Sequence, residues 1–348
     1  MARISRPATA VPQHLLTPAQ LAHELPGIFR NSPLPAATLL RMASRCGVER
    51  RFLVRPLAET IAEVDLGERS RVYAQHAVEL AALAASRALD ESGFEARAID
   101  LIISVSCTGY MLPSIDAYLV ARLGLRPDVR RLPITELGCV AGAAGLSRAA
   151  DFLRAYPEAL VLLVAVETPS LTFQPADASP DNLVSALIFG DGAAAAVVGG
   201  DSAAGCDILD SASLLAPGTL GEMGFDLRDN GFWVVLSGAV PDLLRQGLRD
   251  LVTPLLARHE LSREDIDFFC VHPGGPKILN AAAETLGIEC GLEHSWGVLR
   301  DYGNLSSASI LFVLRRLHEH PPAGGALGLL LAFGPGLSLE ALLVRWNA

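Results

Sequence analysis

The chain repeats itself at long range, and that repeat limits its fold more than any single motif. Ala98-Ile99-Asp100-Leu101-Ile102-Ile103 has a counterpart in Asp265-Ile266-Asp267-Phe268-Phe269-Cys270, 167 positions on. At the same offset the apolar run ending at Val166 falls on the run ending at Phe333. At offset 165, Glu136-Leu137-Gly138-Cys139 falls on Asp301-Tyr302-Gly303-Asn304. A period this long means a duplicated domain and not a solenoid. The small-residue stretch 199–204 marks the boundary, giving an N-terminal half over 1–200 and a C-terminal half over 201–348. No low-complexity linker separates the halves, so they are expected to pack tightly. A pseudo-two-fold axis between them would bring Cys139 and Asn304 close, each after a glycine and before a helical pattern.

Within each half, short apolar runs alternate with helical patterns. The runs at 101–107, 160–166, 193–198, 232–236, 268–271, 327–333 and 339–344 read as buried strands. Segments 73–91, 146–155, 243–259, 278–286 and 305–318 read as helices. Strands alternating with helices define an α/β protein with buried sheets.

Composition excludes several classes of function. Lys+Arg number 28 and Asp+Glu 38, a net charge of −10, which makes the chain a poor partner for a nucleic-acid backbone. The longest uncharged run, 321–339, holds five Gly and three Pro, so it reads as strand and turns and no membrane span is expected. No apolar core precedes Pro12, so no signal peptide is expected. The six cysteines are scattered without a CxxC pair, which fits reduced thiols in a cytoplasmic protein better than a disulfide framework or a zinc site. No two histidines form a ligand pair on a helix face, so no metal site is expected.

Three residues stand where chemistry is feasible. Cys139, in Gly138-Cys139-Val140-Ala141-Gly142-Ala143-Ala144-Gly145, lies at an apparent helix start, where backbone N–H groups stabilise a thiolate. Read by itself, the segment equally fits a small buried core cysteine. His272 ends an apolar strand at the turn Pro273-Gly274-Gly275, the end of a strand at which α/β ligand crevices open. A turn histidine bonded to backbone fits that segment too. Asn304, before Leu305-Ser306-Ser307, also makes a good helix N-cap. Together the three make a candidate nucleophile, base and amide donor. Phe189-Gly190-Asp191-Gly192 lacks the GxGxxG spacing and precedes a strand, so it is a weak dinucleotide signal.

Five segments in order resemble the type III polyketide synthases, the chalcone-synthase-like family of the thiolase superfamily. They are 136–145 around Cys139, LIFGDGAAA at 187–195, HPGGPKI at 272–278, YGNLSSA at 302–308 and AFGPGLSLE at 332–340. Ala332 stands where the family has glycine. The resemblance covers nearly the whole chain and implies a five-layer αβαβα thiolase fold with duplicated halves. It is separated from carrier-protein-dependent 3-ketoacyl synthases, which carry Gln-Ala-Asn after the histidine where this chain has Pro273-Gly274-Gly275. It is separated from biosynthetic thiolases by the lack of a cysteine after Cys290.

The resemblance implies iterative decarboxylative condensation of malonyl-CoA onto an acyl-CoA starter held on Cys139, with His272 and Asn304 stabilising the enolate, followed by cyclisation. No cofactor beyond the CoA substrates is implied. A homodimer is. Phe189 falls on a gatekeeper position between the CoA tunnel and the cavity. Cys107, Thr172, Phe225, Val234 and Ser306 fall on cavity-lining positions, and Gly334, Pro335 and Gly336 are grouped with the substrate-binding residues. Leu112 falls on the residue that reaches into the partner subunit's cavity. Arg41 and Arg45 fall on basic residues at the tunnel mouth, and the third such position falls on Thr38. Cys107, Phe225 and the small Val234 point to a bacterial-type enzyme making alkylpyrones or alkylresorcinols from fatty acyl-CoA. A tetrahydroxynaphthalene synthase, using malonyl-CoA alone, is one alternative, and a carrier-protein-dependent 3-ketoacyl synthase is the other.

Overall fold

The computed structural model describes residues 2–30, 32–200, 205–288 and 290–347. Positions 201–204 of the expected boundary lie outside the described residues.

The repeat is visible in the strand pairing. In the first half, Leu101–Val105 runs parallel to Val161–Glu167, which pairs antiparallel with Gly192–Val198. In the second, Phe268–Val271 runs parallel to Leu327–Gly334, which pairs antiparallel with Ser338–Asn347. Arg130–Ile134 extends the first sheet beside Leu101–Val105, and Gly205–Leu215 extends the second beside Ser338–Asn347. The short strand Arg3–Ile4 pairs with Val198 on one side and Cys206 and Asp207 on the other, joining the two sheets into one ten-stranded sheet.

Alternating side chains place the layers, because successive residues of a strand point to opposite faces. Ile103, Val105, Leu163 and Ala165 from the first sheet share one cluster with Leu330, Ala332, Leu342 and Val344 from the second. The helices Ala141–Ala155 and Ser309–Glu319 fill this middle layer. Ile102, Leu162, Val164 and Val197 pack outward under the helix Leu66–Ser92. Phe269, Val271, Leu329 and Leu343 pack outward under Val240–Ala257 and Pro276–Leu286. The order is αβαβα.

The two middle helices start against each other. A Cβ at Gly142 would lie 2.1 Å from the Ser307 carbonyl oxygen, so only glycine permits this approach. The alanine and glycine run at 141–145 is therefore helical, and the helix begins five residues before the expected 146 because its first turns carry no large apolar side chain. The expected helix 305–318 is a 3₁₀ turn, Ser306–Ala308, followed by Ser309–Glu319.

A fourth cluster caps one side of this frame. Helices Pro18–Ile28 and Ala36–Arg45 contribute Leu21, Leu25 and Leu39, packed on Leu183, Leu187 and Ile188 of the helix Pro180–Ile188. Among the described residues no helix is long and apolar enough to cross a membrane, and no group of His, Cys, Asp and Glu is placed to hold a metal ion.

Candidate active site

A cavity of about 660 Å³ opens where the two halves meet. Cys139, His272 and Asn304 line it, as do Phe189, Cys107, Phe225, Val234, Ser306, Pro335, Arg41 and Arg45. Four expected positions do not. Thr172 is buried with its hydroxyl turned onto the Pro169 carbonyl, 2.9 Å away. Gly334 is a spacer, because a Cβ there would sit 2.8 Å from the Val140 amide nitrogen. Gly336 has φ +64 and turns the chain. Leu112 is 83 % exposed on the outside of this chain.

Each of the three central residues is held by its local fold. Cys139 sits in the 3₁₀ turn Gly138–Val140 that leads into Ala141–Ala155. Gly138 has φ +61, and a Cβ on it would meet Pro335 Cδ at 2.4 Å, so the Gly334-Pro335-Gly336 turn backs the cysteine. His272 follows Phe268–Val271, its amide donating to the Leu331 carbonyl at 2.8 Å. Asn304 is clamped between halves: its amide donates to the Ile188 carbonyl at 2.7 Å, and its carbonyl accepts from Gly190 at 3.1 Å. The FGDG and YGN segments are thus two sides of one backbone exchange beside Phe189.

Side-chain hydrogen bonds set the donors. Asn304 Oδ1 accepts from the Ser306 amide at 2.8 Å and from Ser309 Oγ at 3.4 Å, which orients Nδ2 outward as a donor. The Asn304 side chain also bonds Cys139. Ser306 has φ +48, a strained conformation for a non-glycine residue, held by the bond from its amide to Asn304. Its Oγ lies 3.4 Å from Cys139 Sγ and 3.5 Å from Cys107 Sγ. His272 Nδ1 is shut off from solvent and bonds to nothing among the described residues. The ring nitrogen left to meet a substrate is therefore Nε2.

Burial dominates the electrostatics. It pushes the Cys139 thiol up to about 12 and pulls His272 down to about 3. The cavity wall removes water from the sulfur, which opposes the thiolate-stabilising effect expected of a helix start. A lone charge on either group is thus unfavourable, whereas a thiolate and an imidazolium would offset one another.

Sequence reasoning missed two residues here. Glu167, fully buried, closes the apolar run Val161-Leu162-Leu163-Val164-Ala165-Val166. It accepts from Thr108 Oγ1 at 2.8 Å, from the Cys107 amide at 3.1 Å, from Ser306 Oγ at 3.4 Å and from Ser307. Burial raises its pKa, and those donors oppose the rise. The signal was a single carboxylate ending a strand with no other charge. Lys277 also lines the cavity.

A duplicated thiolase-like frame with a cysteine, a histidine and an asparagine on one interior cavity defines a class of acyl-transferring enzymes. Within that class, the chain belongs to the chalcone and stilbene synthase family and is a type III polyketide synthase. The family's N-terminal domain profile matches residues 48–202 and its C-terminal domain profile residues 207–347. A 1,3,6,8-tetrahydroxynaphthalene synthase of Streptomyces coelicolor is 38% identical over 350 residues, covering 100% of this chain and 93% of the relative. The crystal structure of the Streptomyces coelicolor A3(2) enzyme of that name superposes with a TM-score of 0.94 at 36% identity, covering 100% of both chains. The alpha-pyrone synthesis polyketide synthase-like Pks18 of Mycobacterium tuberculosis is 30% identical, covering 97% of this chain and 89% of the relative.

These likenesses favour the tetrahydroxynaphthalene alternative over the fatty-acyl reading. Phe225 and Val234 are directly opposite in the hairpin of Met223–Arg228 and Gly231–Leu236, so the room left by the valine faces a phenylalanine.

Proposed function

We propose that the enzyme builds a tetrahydroxynaphthalene-type pentaketide from malonyl-CoA alone, with Cys139 as nucleophile and His272 and Asn304 as hydrogen-bond donors. The observation that carries this reading is the convergence of those three side chains on one interior cavity in a chain this similar to a tetrahydroxynaphthalene synthase.

The chemistry follows from the groups present. The Cys139 sulfur attacks the thioester carbonyl of a starter; its proton passes to His272, and CoA leaves as the free thiol. A second malonyl-CoA then places its thioester carbonyl between His272 Nε2 and Asn304 Nδ2. Loss of CO2 leaves an enolate whose oxygen accepts both hydrogen bonds. The enolate carbon attacks the acyl group on Cys139, the carbon–sulfur bond breaks, and the lengthened chain is carried on CoA. Each preorganised donor to such an oxygen contributes about 2.7–4 kcal/mol. Five malonyl units that each lose CO2 supply ten carbons, the number in a naphthalene skeleton.

Arg41 and Arg45 lie four residues apart on the helix Ala36–Arg45, so both reach one mouth of the cavity, where they would meet the CoA phosphates. Leu112, exposed in one chain, is proposed to complete the cavity of a second copy in a homodimer.

Mass spectrometry of products from malonyl-CoA, alone and with acyl-CoA starters of increasing length, tests the assignment. A naphthalene-type pentaketide from malonyl-CoA alone is expected. Product formed only with long-chain starters would return the fatty-acyl reading and overturn this one.

A further inference from the structure

We propose that Lys277 is a third cation for the phosphates of the CoA thioester, supplying the charge that Thr38 does not; this rests on the CoA reading of the cavity above. Lys277 is the only lysine in the sequence, every other basic residue being arginine. It lies in the first turn of the helix Pro276–Leu286, five residues after His272, exposed and on the cavity wall that also carries Arg41 and Arg45.

The geometry brings these cations to one place. A Cβ at Gly47 would lie 3.4 Å from Pro276 Cγ, so the end of the Arg41 and Arg45 helix packs against the start of the Lys277 helix. Thr38 accepts a hydrogen bond from the Arg41 guanidinium at 3.2 Å, which steers that arginine and adds no charge. Among the described residues, no hydrogen bond or ion pair engages the Lys277 ammonium or the Arg45 guanidinium. The one acidic residue on the cavity wall, Asp181, accepts from the Leu236 amide at 2.9 Å. Uncompensated cations clustered in a chain of net charge −10 mark an anion site. CoA carries a diphosphate and a 3′-phosphate, more negative charge than two arginines neutralise. A lysine is a compact charge on a flexible stem, suited to follow a phosphate across a wide mouth.

The test compares Lys277→Gln and Lys277→Arg on two thioesters, malonyl-CoA and malonyl-N-acetylcysteamine, which has no phosphates. Lys277→Gln is expected to raise KM for malonyl-CoA about three- to tenfold, with kcat within about twofold. The difference should shrink in high salt. Lys277→Arg should restore KM, and the phosphate-free thioester should not distinguish Lys277→Gln from the parent enzyme. An unchanged KM in Lys277→Gln beside a raised KM in Arg41→Gln would overturn the role of Lys277 and leave the CoA reading intact. Unchanged values in all of Lys277→Gln, Arg41→Gln and Arg45→Gln would overturn both. A readout without turnover is available because Lys277 is the only side-chain amine. CoA should slow its labelling by an amine-reactive ester at least about fivefold, and phosphate-free pantetheine should not. Equal labelling with and without CoA would also overturn the proposal.

Discussion

Replacing Cys139 by alanine is expected to lower polyketide formation from malonyl-CoA by at least about 1000-fold, because no other group takes over a lost nucleophile. Malonyl-CoA should still lose CO2, within about tenfold of the parent rate, since that step needs donors to the enolate oxygen and not the sulfur. The separation follows from the structure. Cys139 comes from the first half, whereas His272 and Asn304 come from the second and keep their backbone bonds to Leu331 and Ile188 without it. Acetyl-CoA release and product are measured in the same reaction. Product formation by Cys139→Ala at the parent rate would remove the sulfur from the mechanism.

Asn304→Ala and His272→Ala are expected to lower decarboxylation itself, each by about 10²–10³-fold, the usual effect of deleting one preorganised donor. The two variants should differ in a second property. Burial holds the Cys139 thiol high, and in the proposed mechanism its proton passes to His272 on the same cavity. Without it, a thiol with a raised pKa stays protonated until the pH approaches that value. Alkylation of Cys139 by iodoacetamide at pH 7 should therefore slow at least about tenfold in His272→Ala, its rate climbing with pH through 9 without a plateau. Asn304→Ala should alkylate close to the parent rate. Equal alkylation profiles in the parent enzyme and His272→Ala would show that the two groups do not exchange a proton.

Much of this was legible in the residues, and the gaps have physical causes. The repeat between 98–103 and 265–270 falls on paired parallel strands in both halves, because register and apolar content are written locally. The approach of Cys139 to Asn304 followed from the match at offset 165, and the glycine at 142 marks where the halves touch. The long strand Gly205–Leu215 escaped notice because Asp207, Asp210, Ser211 and Ser213 break its apolar pattern; its pairing along Ser338–Asn347 makes it a strand. Glu167 escaped because a buried carboxylate is recognised by its donors, and Thr108, Ser306 and Ser307 are remote in sequence from it or from each other. The ionisation of Cys139 was read largely from a helix start, whereas burial among segments from both halves pushes its thiol up. Cavity shape also depends on strand pairing: Val234 is small, and Phe225 lies directly opposite it.

The most direct test of the account is where the growing chain is attached. Brief reaction of the enzyme with malonyl-CoA, acid quench and peptide mass spectrometry should find an acyl group on the peptide carrying Cys139 and none on it in Cys139→Ala. An acyl group found only on another residue, such as Cys107, while product forms at the parent rate would contradict the assignment of Cys139 as the nucleophile.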